Sequence, residues 1–407
     1  MVSNSRSPRY AAYCRSSSKS QQQYQVSQQT NQKQVCLGKE TSSSMPTRNW
    51  KLLVTMSFAL IGFALISLQQ WEEMETLTDE LIATNPASGL RRLYTTVEMH
   101  TSTDKMASKG QLQSLKLLPY RAASRLWGKV HNKKLPRWMR KPVYKSWATI
   151  FKCNLTEMKY PLQDYANLGE FFSRPLKEGL RPFVTDPHHL ASPVDGAVAS
   201  VGFVNSSADV PTLEQIKGSS YRLDEFLGGL PPFFTAKTPG SNGKQVYYCV
   251  LYLAPGDYHR VHAPVDWKVE TRRHFPGNLF PVNHLAANRI PSLYLENERV
   301  ALLGEWEHGF FSLTAVGALN VGSIVLTMEP GFRTNTHEQD KQVGQCLATN
   351  YTSKVDTLRG EEIALFKFGS TVVLIFEAPA SFQFTIKPGD KVALGKTIGK
   401  LKGVKPN

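Results

Sequence analysis

The segment Leu365-Phe366-Lys367-Phe368-Gly369-Ser370-Thr371-Val372-Val373-Leu374-Ile375-Phe376 decides how the chain is read. Apolar and β-branched residues flank a single Gly-Ser pair, which predicts a buried strand interrupted at one point. A glycine inside a strand marks a bulge, or a place where another group approaches the backbone closely. Ser370 sets a hydroxyl beside the carbonyl of Gly369, and a strained backbone together with a base would let that hydroxyl attack. Taken alone the tripeptide reads as an ordinary bulge. Other residues must supply the case for chemistry.

The chain has 407 residues, enough for one large domain once a leader is set aside. Its formal charge of +15 is unevenly distributed. Residues 1–50 carry a net of +6, residues 105–156 carry thirteen Lys/Arg and no acid, and the rest sums to −4. The body of the protein is therefore not a basic surface. Residues 1–50 are rich in Ser, Gln and Lys/Arg, as expected of a disordered organelle transit peptide. An apolar run at 52–68 follows, bracketed by Trp50 and Trp71. At 1.5 Å per residue these two would lie roughly 30 Å apart, so one transmembrane helix is expected over residues 51–71. Basic residues precede it, and Glu72, Glu73, Glu75, Asp79 and Glu80 follow, which sends the C-terminal bulk across the membrane. The combination suggests the mitochondrial inner membrane, single-pass, with the bulk facing the intermembrane space. A secretory signal anchor is the competitor, and it should leave sugar on some of the sequons at Asn154, Asn205 and Asn350.

After a linker (72–111), residues 112–180 interleave Leu115, Leu118, Tyr120, Leu126, Trp127, Trp138, Tyr144 and Trp147 with nine basic residues from Arg121 to Lys145. Helices broken at Pro119, Pro136 and Pro142 are expected, lying at the headgroup level of an anionic membrane. No nucleic-acid module accompanies the charge, so no nucleic-acid partner is expected. From about residue 181 short β-rich runs follow one another, at 198–204, 246–253, 300–303, 311–316, 324–328, the opening segment and 382–386. The fold class is α+β: a mostly β catalytic domain (181–407) with amphipathic helices on its N-terminal side. Residues 192–198 and 387–399 look like the two halves of a barrel-sandwich of the lipoyl-carrier kind, though no carrier lysine is evident. The five cysteines (Cys14, Cys36, Cys153, Cys249, Cys346) show no metal-type spacing, and no metal is expected.

Candidate partners for Ser370 are Asp195, in a Pro-Val-Asp-Gly turn, and His259 and His262, in Pro255-Gly256-Asp257-Tyr258-His259-Arg260-Val261-His262-Ala263-Pro264. Two histidines three apart after a buried strand are unusual, but spacing cannot show that they meet Ser370. The sequence resembles the phosphatidylserine decarboxylase family, in its mitochondrial branch. The matching stretches are Phe171-Phe172-Ser173-Arg174-Pro175-Leu176-Lys177 with Arg181-Pro182, residues 192–198, Tyr258 to Pro264, Phe275-Pro276-Gly277-Asn278-Leu279-Phe280-Pro281-Val282-Asn283, Asn297-Glu298-Arg299-Val300, residues 316–324, and the Gly-Ser-Thr centre. They span 170–400 in order. One departure stands out, Phe368 where the family has Leu, and it is expected to alter fit without abolishing cleavage.

That resemblance implies a self-processing lipid decarboxylase. Ser370 would attack Gly369, the chain would divide between 369 and 370, and Ser370 would become a pyruvoyl group, the electron sink that decarboxylation of an amino acid needs. By the same resemblance His262 is the base for Ser370, Asp195 orients His262, and His259 acts on bound substrate. The long β chain (to Gly369) and short α chain (from residue 370) would remain together, and a homodimer is compatible with the resemblance. Arg260 and the 275–283 loop are candidates for the headgroup phosphate. Two rivals stand beside this reading. A serine hydrolase would use Asp195, His262 and Ser370 in an uncut chain, and a barrel-sandwich membrane scaffold would have no catalytic role for Ser370.

Overall fold

The computed structural model describes residues 107, 109–204, 212–214, 220–234, 243–282, 284–320, 323–367 and 369–402. The expected leader, the 51–71 span, most of the linker, the Asn205 sequon and Phe368 lie outside the described residues. Among the described residues no helix is long and apolar enough to cross a membrane.

Helices come first, as expected: α1 (Lys109–Lys116), α2 (Tyr120–His131), α3 (Arg137–Phe151) and the short α4 (Leu168–Phe172). Pro119 and Pro136 precede α2 and α3 directly, where a missing N–H costs little. Pro142 does not break the helix, because α3 runs through it and gives up one backbone bond. Asn167 caps α4 by accepting from the Glu170 N–H at 2.8 Å, and the Glu170 carboxylate reaches back to the Ala166 N–H and the Asn167 amide.

The remainder is mostly strand. In chain order these are β1 (His189–Ala191), β2 (Gly196–Phe203), β3 (Thr212–Glu214), β4 (Ser220–Arg222), β5 (Lys244–Leu253), β6 (Arg260–His262), β7 (Trp267–Phe275), β8 (Arg299–Trp306), β9 (Gly309–Gly317), β10 (Ile324–Leu326), β11 (Leu347–Thr357), β12 (Glu362–Phe366), β13 (Ser370–Pro379), β14 (Phe382–Phe384), β15 (Lys391–Val392) and β16 (Thr397–Leu401). Helices α5 (Leu223–Leu227), α6 (His284–Arg289) and α7 (Leu293–Glu296) are inserted among them. Eight strands form one antiparallel sheet in the order β11-β7-β8-β9-β13-β5-β2-β15. β13 lies in its interior, between β9 and β5. Val373 and Ile375 enter one hydrophobic core with Tyr248, Val250, Phe280 and Tyr294. Val372, Leu374 and Phe376 enter a second core with Leu251, Leu253, Ala315 and Trp267. Cores on both faces explain why the strand reads as an unbroken apolar run, without the alternation of a half-exposed strand.

The segment 365–376 is not one bulged strand. β12 belongs to a three-stranded sheet, β10-β12-β6, whereas β13 belongs to the eight-stranded one. The interruption is the corner where the chain leaves one sheet and enters the other. Gly369 sits in that corner at φ +28°, a conformation that favours glycine. Residues 192–198 and 387–399 lie side by side. Val198 donates to Asp390 O and accepts from the Gly389 N–H, Ser192 donates to Lys396 O, and β1 pairs with β16.

β7 and β11 escape the sequence reading because both are strongly polar. In β7, Arg272 pairs with Glu329, Arg273 donates to the Leu227 carbonyl, and His274 meets Glu298. Their charges are satisfied inside the fold, which hides the strand from any hydropathy pattern.

Candidate active site

Ser370 opens β13 and is fully buried. It pairs with Leu253 of β5 on one side and Gly317 of β9 on the other. Its Oγ has no hydrogen-bond partner among the described residues. A buried hydroxyl left without a partner gives up about 1–3 kcal/mol, so the position is unfavourable for folding alone. Gly369 holds its positive φ beside the serine, a conformation that a side chain here would oppose. A Cβ on Gly369 would come no closer than 3.9 Å to the Leu319 carbonyl, so backbone conformation and not space is the reason for glycine.

The two histidines flank the β6 entry. His259 is fully buried, and its Nδ1 lies 3.1 Å from the Asp257 carbonyl. A carbonyl only accepts, so Nδ1 carries the proton and Nε2 presents a lone pair. That Nε2 has no partner among the described residues. Burial first, and the Arg174 charge second, hold the imidazole well below the usual histidine range. The Phe172 ring packs edge-on at 4.0 Å, and Arg174 donates to the Gly256 carbonyl at 2.9 Å, so the Phe171-Phe172-Ser173-Arg174 stretch walls this imidazole in.

His262 is half-buried. Its Nδ1 donates to the Gly360 carbonyl at 2.8 Å, and its Nε2 accepts from the Tyr258 hydroxyl at 3.0 Å. Burial pushes its pKa down, while the Gly360 carbonyl, Glu362 and Asp195 oppose that shift. The His262 N–H donates to the Pro193 carbonyl, which brings the Pro-Val-Asp-Gly turn alongside. The expected direct bond from Asp195 to His262 is nevertheless absent among the described residues. Asp195 accepts from the Leu394 N–H at 2.7 Å and from Arg181 at 3.0 Å, and Arg181 also forks onto Glu157. His262 and Ser370 likewise share no hydrogen bond. The folding reason is local: the carbonyl at Gly360 and the Tyr258 hydroxyl are nearer claims on the ring than either partner. Arg260 donates from Nε to the Ser173 carbonyl and from Nη1 to Glu362.

A cavity of about 340 Å³ is bounded by Ala197, Ala199, Tyr252, Val282, Ala287, Tyr294 and Gly389. Tyr252 is the cross-strand neighbour of Thr371. An apolar space of this size, with two tyrosines on its wall, suits part of a small molecule or an acyl chain.

A family model of phosphatidylserine decarboxylase matches residues 168–400, which takes in both histidines, Asp195 and the Gly369–Ser370 corner. The chain belongs to the phosphatidylserine decarboxylase family. It is 41% identical over 347 residues to the mitochondrial phosphatidylserine decarboxylase proenzyme 1 of Oryza sativa subsp. japonica, covering 70% of this chain and 78% of that protein. It is 42% identical over 314 residues to the mitochondrial phosphatidylserine decarboxylase proenzyme of Cricetulus griseus, covering 73% and 76%. The mitochondrial proenzyme 1 of Saccharomyces cerevisiae (strain ATCC 204508 / S288c) is 37% identical over 364 residues, covering 69% and 72%.

Sequence reasoning singled out no role for Tyr258, Arg181 or Arg174, which hold His262, Asp195 and the His259 loop. Tyr258 was visible in the histidine stretch, but its hydroxyl gains meaning only once β6 folds His262 back toward it. Arg181 lies 14 residues from Asp195, and no local pattern links the two.

Proposed function

We propose that this chain is a proenzyme that cuts itself between Gly369 and Ser370 and then converts phosphatidylserine to phosphatidylethanolamine and CO₂. The observation that carries the reading is the corner itself, a buried serine hydroxyl with no partner among the described residues beside a positive-φ glycine, in a chain of this family. The residues present fit a pyruvoyl group at position 370: the Ser370 hydroxyl has no partner among the described residues, Gly369 takes the positive φ of the corner, and both neighbouring strands hold the residue in register. When formed, that group supplies a carbonyl able to accept the electron pair left at Cα when CO₂ departs.

In self-cleavage, Ser370 Oγ attacks the Gly369 carbonyl carbon, and the amide becomes an ester with release of the residue 370 amine. Loss of the Cα proton and rupture of the Cβ–O bond free the Gly369 carboxylate. Hydrolysis of the resulting imine consumes water, releases ammonia and leaves the ketone. His262 is the proposed acceptor of the Ser370 proton. Its Nε2 carries the lone pair this needs, and the Tyr258 hydroxyl now bonded there is exchanged for the serine. Asp195 favours the imidazolium through space, and Arg181 fixes its carboxylate. His259, neutral and walled in, is the group that handles a proton on bound substrate at its free Nε2. A hydrolase using the same serine would need Ser370 open to water, and here it is fully buried.

The substrate stays in a bilayer, and the helices suit that. Leu117, Leu118, Leu126, Trp138 and Ile150 are exposed on the α1–α2 turn, α2 and α3, among Lys129, Lys133, Lys134, Arg137, Lys141 and Lys145. Such a surface favours anionic headgroups by about 1 kcal/mol per cation near the membrane. Mitochondrial residence follows from the relatives' names, and the inner membrane, with the catalytic part facing the intermembrane space, from the leader and the 51–71 run. The β and α chains remain associated because β13 is fully embedded between β9 and β5.

The test is release of CO₂ from carboxyl-labelled phosphatidylserine in mixed micelles. The purified protein is expected to release it and to lose activity on borohydride treatment, and Ser370→Ala is expected to release none. Decarboxylation by the Ser370→Ala protein would sink the proposal.

A further inference from the structure

Asn297 lies between α7 and β8, is fully buried, and takes no part in the chemistry above. Its side-chain Oδ1 accepts from the Phe280 N–H at 3.0 Å. Its Nδ2 donates to the Phe280 carbonyl at 2.9 Å and to the Gly317 carbonyl at 3.0 Å. One backbone N–H and two carbonyls surround the amide, so its orientation is fixed by the partners. The backbone on either side is stitched to the same segment. Asn278 donates to the Glu296 carbonyl at 2.9 Å, and Glu298 donates to the Asn278 carbonyl at 2.7 Å.

The other end of this clamp is the residue opposite Ser370. Gly317 donates its N–H to the Glu298 carbonyl at 2.8 Å and gives its carbonyl to Asn297. Both of its polar groups therefore turn toward β8, and its pair with Ser370 is of the non-hydrogen-bonded kind, where facing side chains come closest. Gly317 contributes no side chain there. A Cβ on it would lie 3.1 Å from Leu279 Cδ2, so Leu279 is packed against this bare backbone. Asn297 thus ties Leu279's segment and the end of β9 together next to the scissile bond.

We propose that Asn297 is a positioning residue for self-cleavage, fixing the end of β9 and the 277–280 segment as the frame against which Ser370 Oγ meets the Gly369 carbonyl. The proposal rests on the self-processing reading. Attack within one residue needs the reacting atoms near 3 Å, and a misplacement of about 1 Å can slow such a step by about a hundredfold. Asn297→Ala leaves two buried carbonyls without a donor. Asn297→Asp sets an acceptor against them.

The experiment follows cleavage of the full chain after translation in vitro, normalised to folded protein. Wild type, Asn297→Ala, Asn297→Asp and Trp306→Phe are compared. Trp306→Phe removes a half-buried donor to the Glu377 carbonyl at the far end of β8 and serves as the stability control. Asn297→Ala is expected to cleave about tenfold or more slowly, and its uncut chain should resist hydroxylamine, because ester formation is the slowed step. Asn297→Asp should regain part of its rate as the pH is lowered, when a protonated carboxyl can donate to one carbonyl, while Asn297→Ala should not. Trp306→Phe should cleave at the wild-type rate. Wild-type rates in both Asn297 variants would overturn the proposal, as would equal slowing in Trp306→Phe. An uncut wild type would instead remove the self-processing reading beneath it.

Discussion

Ser370 carries a buried hydroxyl that no described residue satisfies, and Gly369 beside it holds a backbone conformation that other residues rarely adopt. The unpartnered hydroxyl opposes stability, so removing it should not weaken the fold. Ser370→Ala is expected to remain uncut and to match or exceed the thermal stability of an uncleaved reference such as His262→Ala, within about 1 kcal/mol. The histidines set a second expectation at this scale. Burial lowers the pKa of His131 to about 4 and pushes His259 and His262 below their ordinary value. The unfolded chain then takes up protons that the native one refuses, so stability falls as the pH drops below about 6.5. The share of His131 stops growing near pH 4 and is on the order of 3 kcal/mol. Thermal unfolding followed across this range should show the melting temperature falling from neutral to acid pH, and a flat profile would contradict the assignment. Ser370, His259 and His262 were legible in the sequence because they stand in short, distinctive stretches. The partners of those side chains were not, since Arg181 reaches Asp195 only after the 192–198 turn is laid against β16's neighbourhood.

At the scale of elements, α2 is the piece that joins the cationic surface to the scissile corner. Arg121 donates to Glu298, which is 1% exposed, and to Asp340, and Ser124 Oγ accepts from the Asn320 N–H in the loop after β9. Glu298 in turn holds His274 and the Asn335 N–H. Breaking one side of a buried ion pair strands the other charge, so Arg121→Ala is expected to lower unfolding free energy by about 3 kcal/mol. The exposed pair of Lys116 with Glu296 should be worth under about 1 kcal/mol. Denaturant titration of the two variants measures the contrast, and equal effects would show that the buried network does not anchor α2. The apolar strands β2, β5, β8, β9 and β13 could be read in the chain because their residues are buried on the sheet's faces. β7 could not, because Arg272, Arg273 and His274 find their partners on segments remote in sequence, and β11 could not, because it is a mostly exposed edge strand. The Gly-Ser interruption was visible, but its nature was not. A bulge and a change of sheet leave the same local pattern, and only the pairing of β12 with β6 distinguishes them.

Over the whole molecule, the charge of +15 is concentrated before residue 157, and the sheets behind it are near neutral. This division matches a protein that meets an anionic surface with its helices while its reacting bond stays buried between two cores. The interior position of β13 has a further consequence: a cut at its first residue leaves the strand's remaining ladder to β9 and β5 in place. Self-processing therefore need not release the short piece or open the fold. The intact mass of the purified mature protein tests this most directly. Two fragments are expected, divided between 369 and 370, which copurify and of which the smaller has a ketone in place of the Ser370 amine. A single continuous polypeptide that still decarboxylates phosphatidylserine would contradict the account.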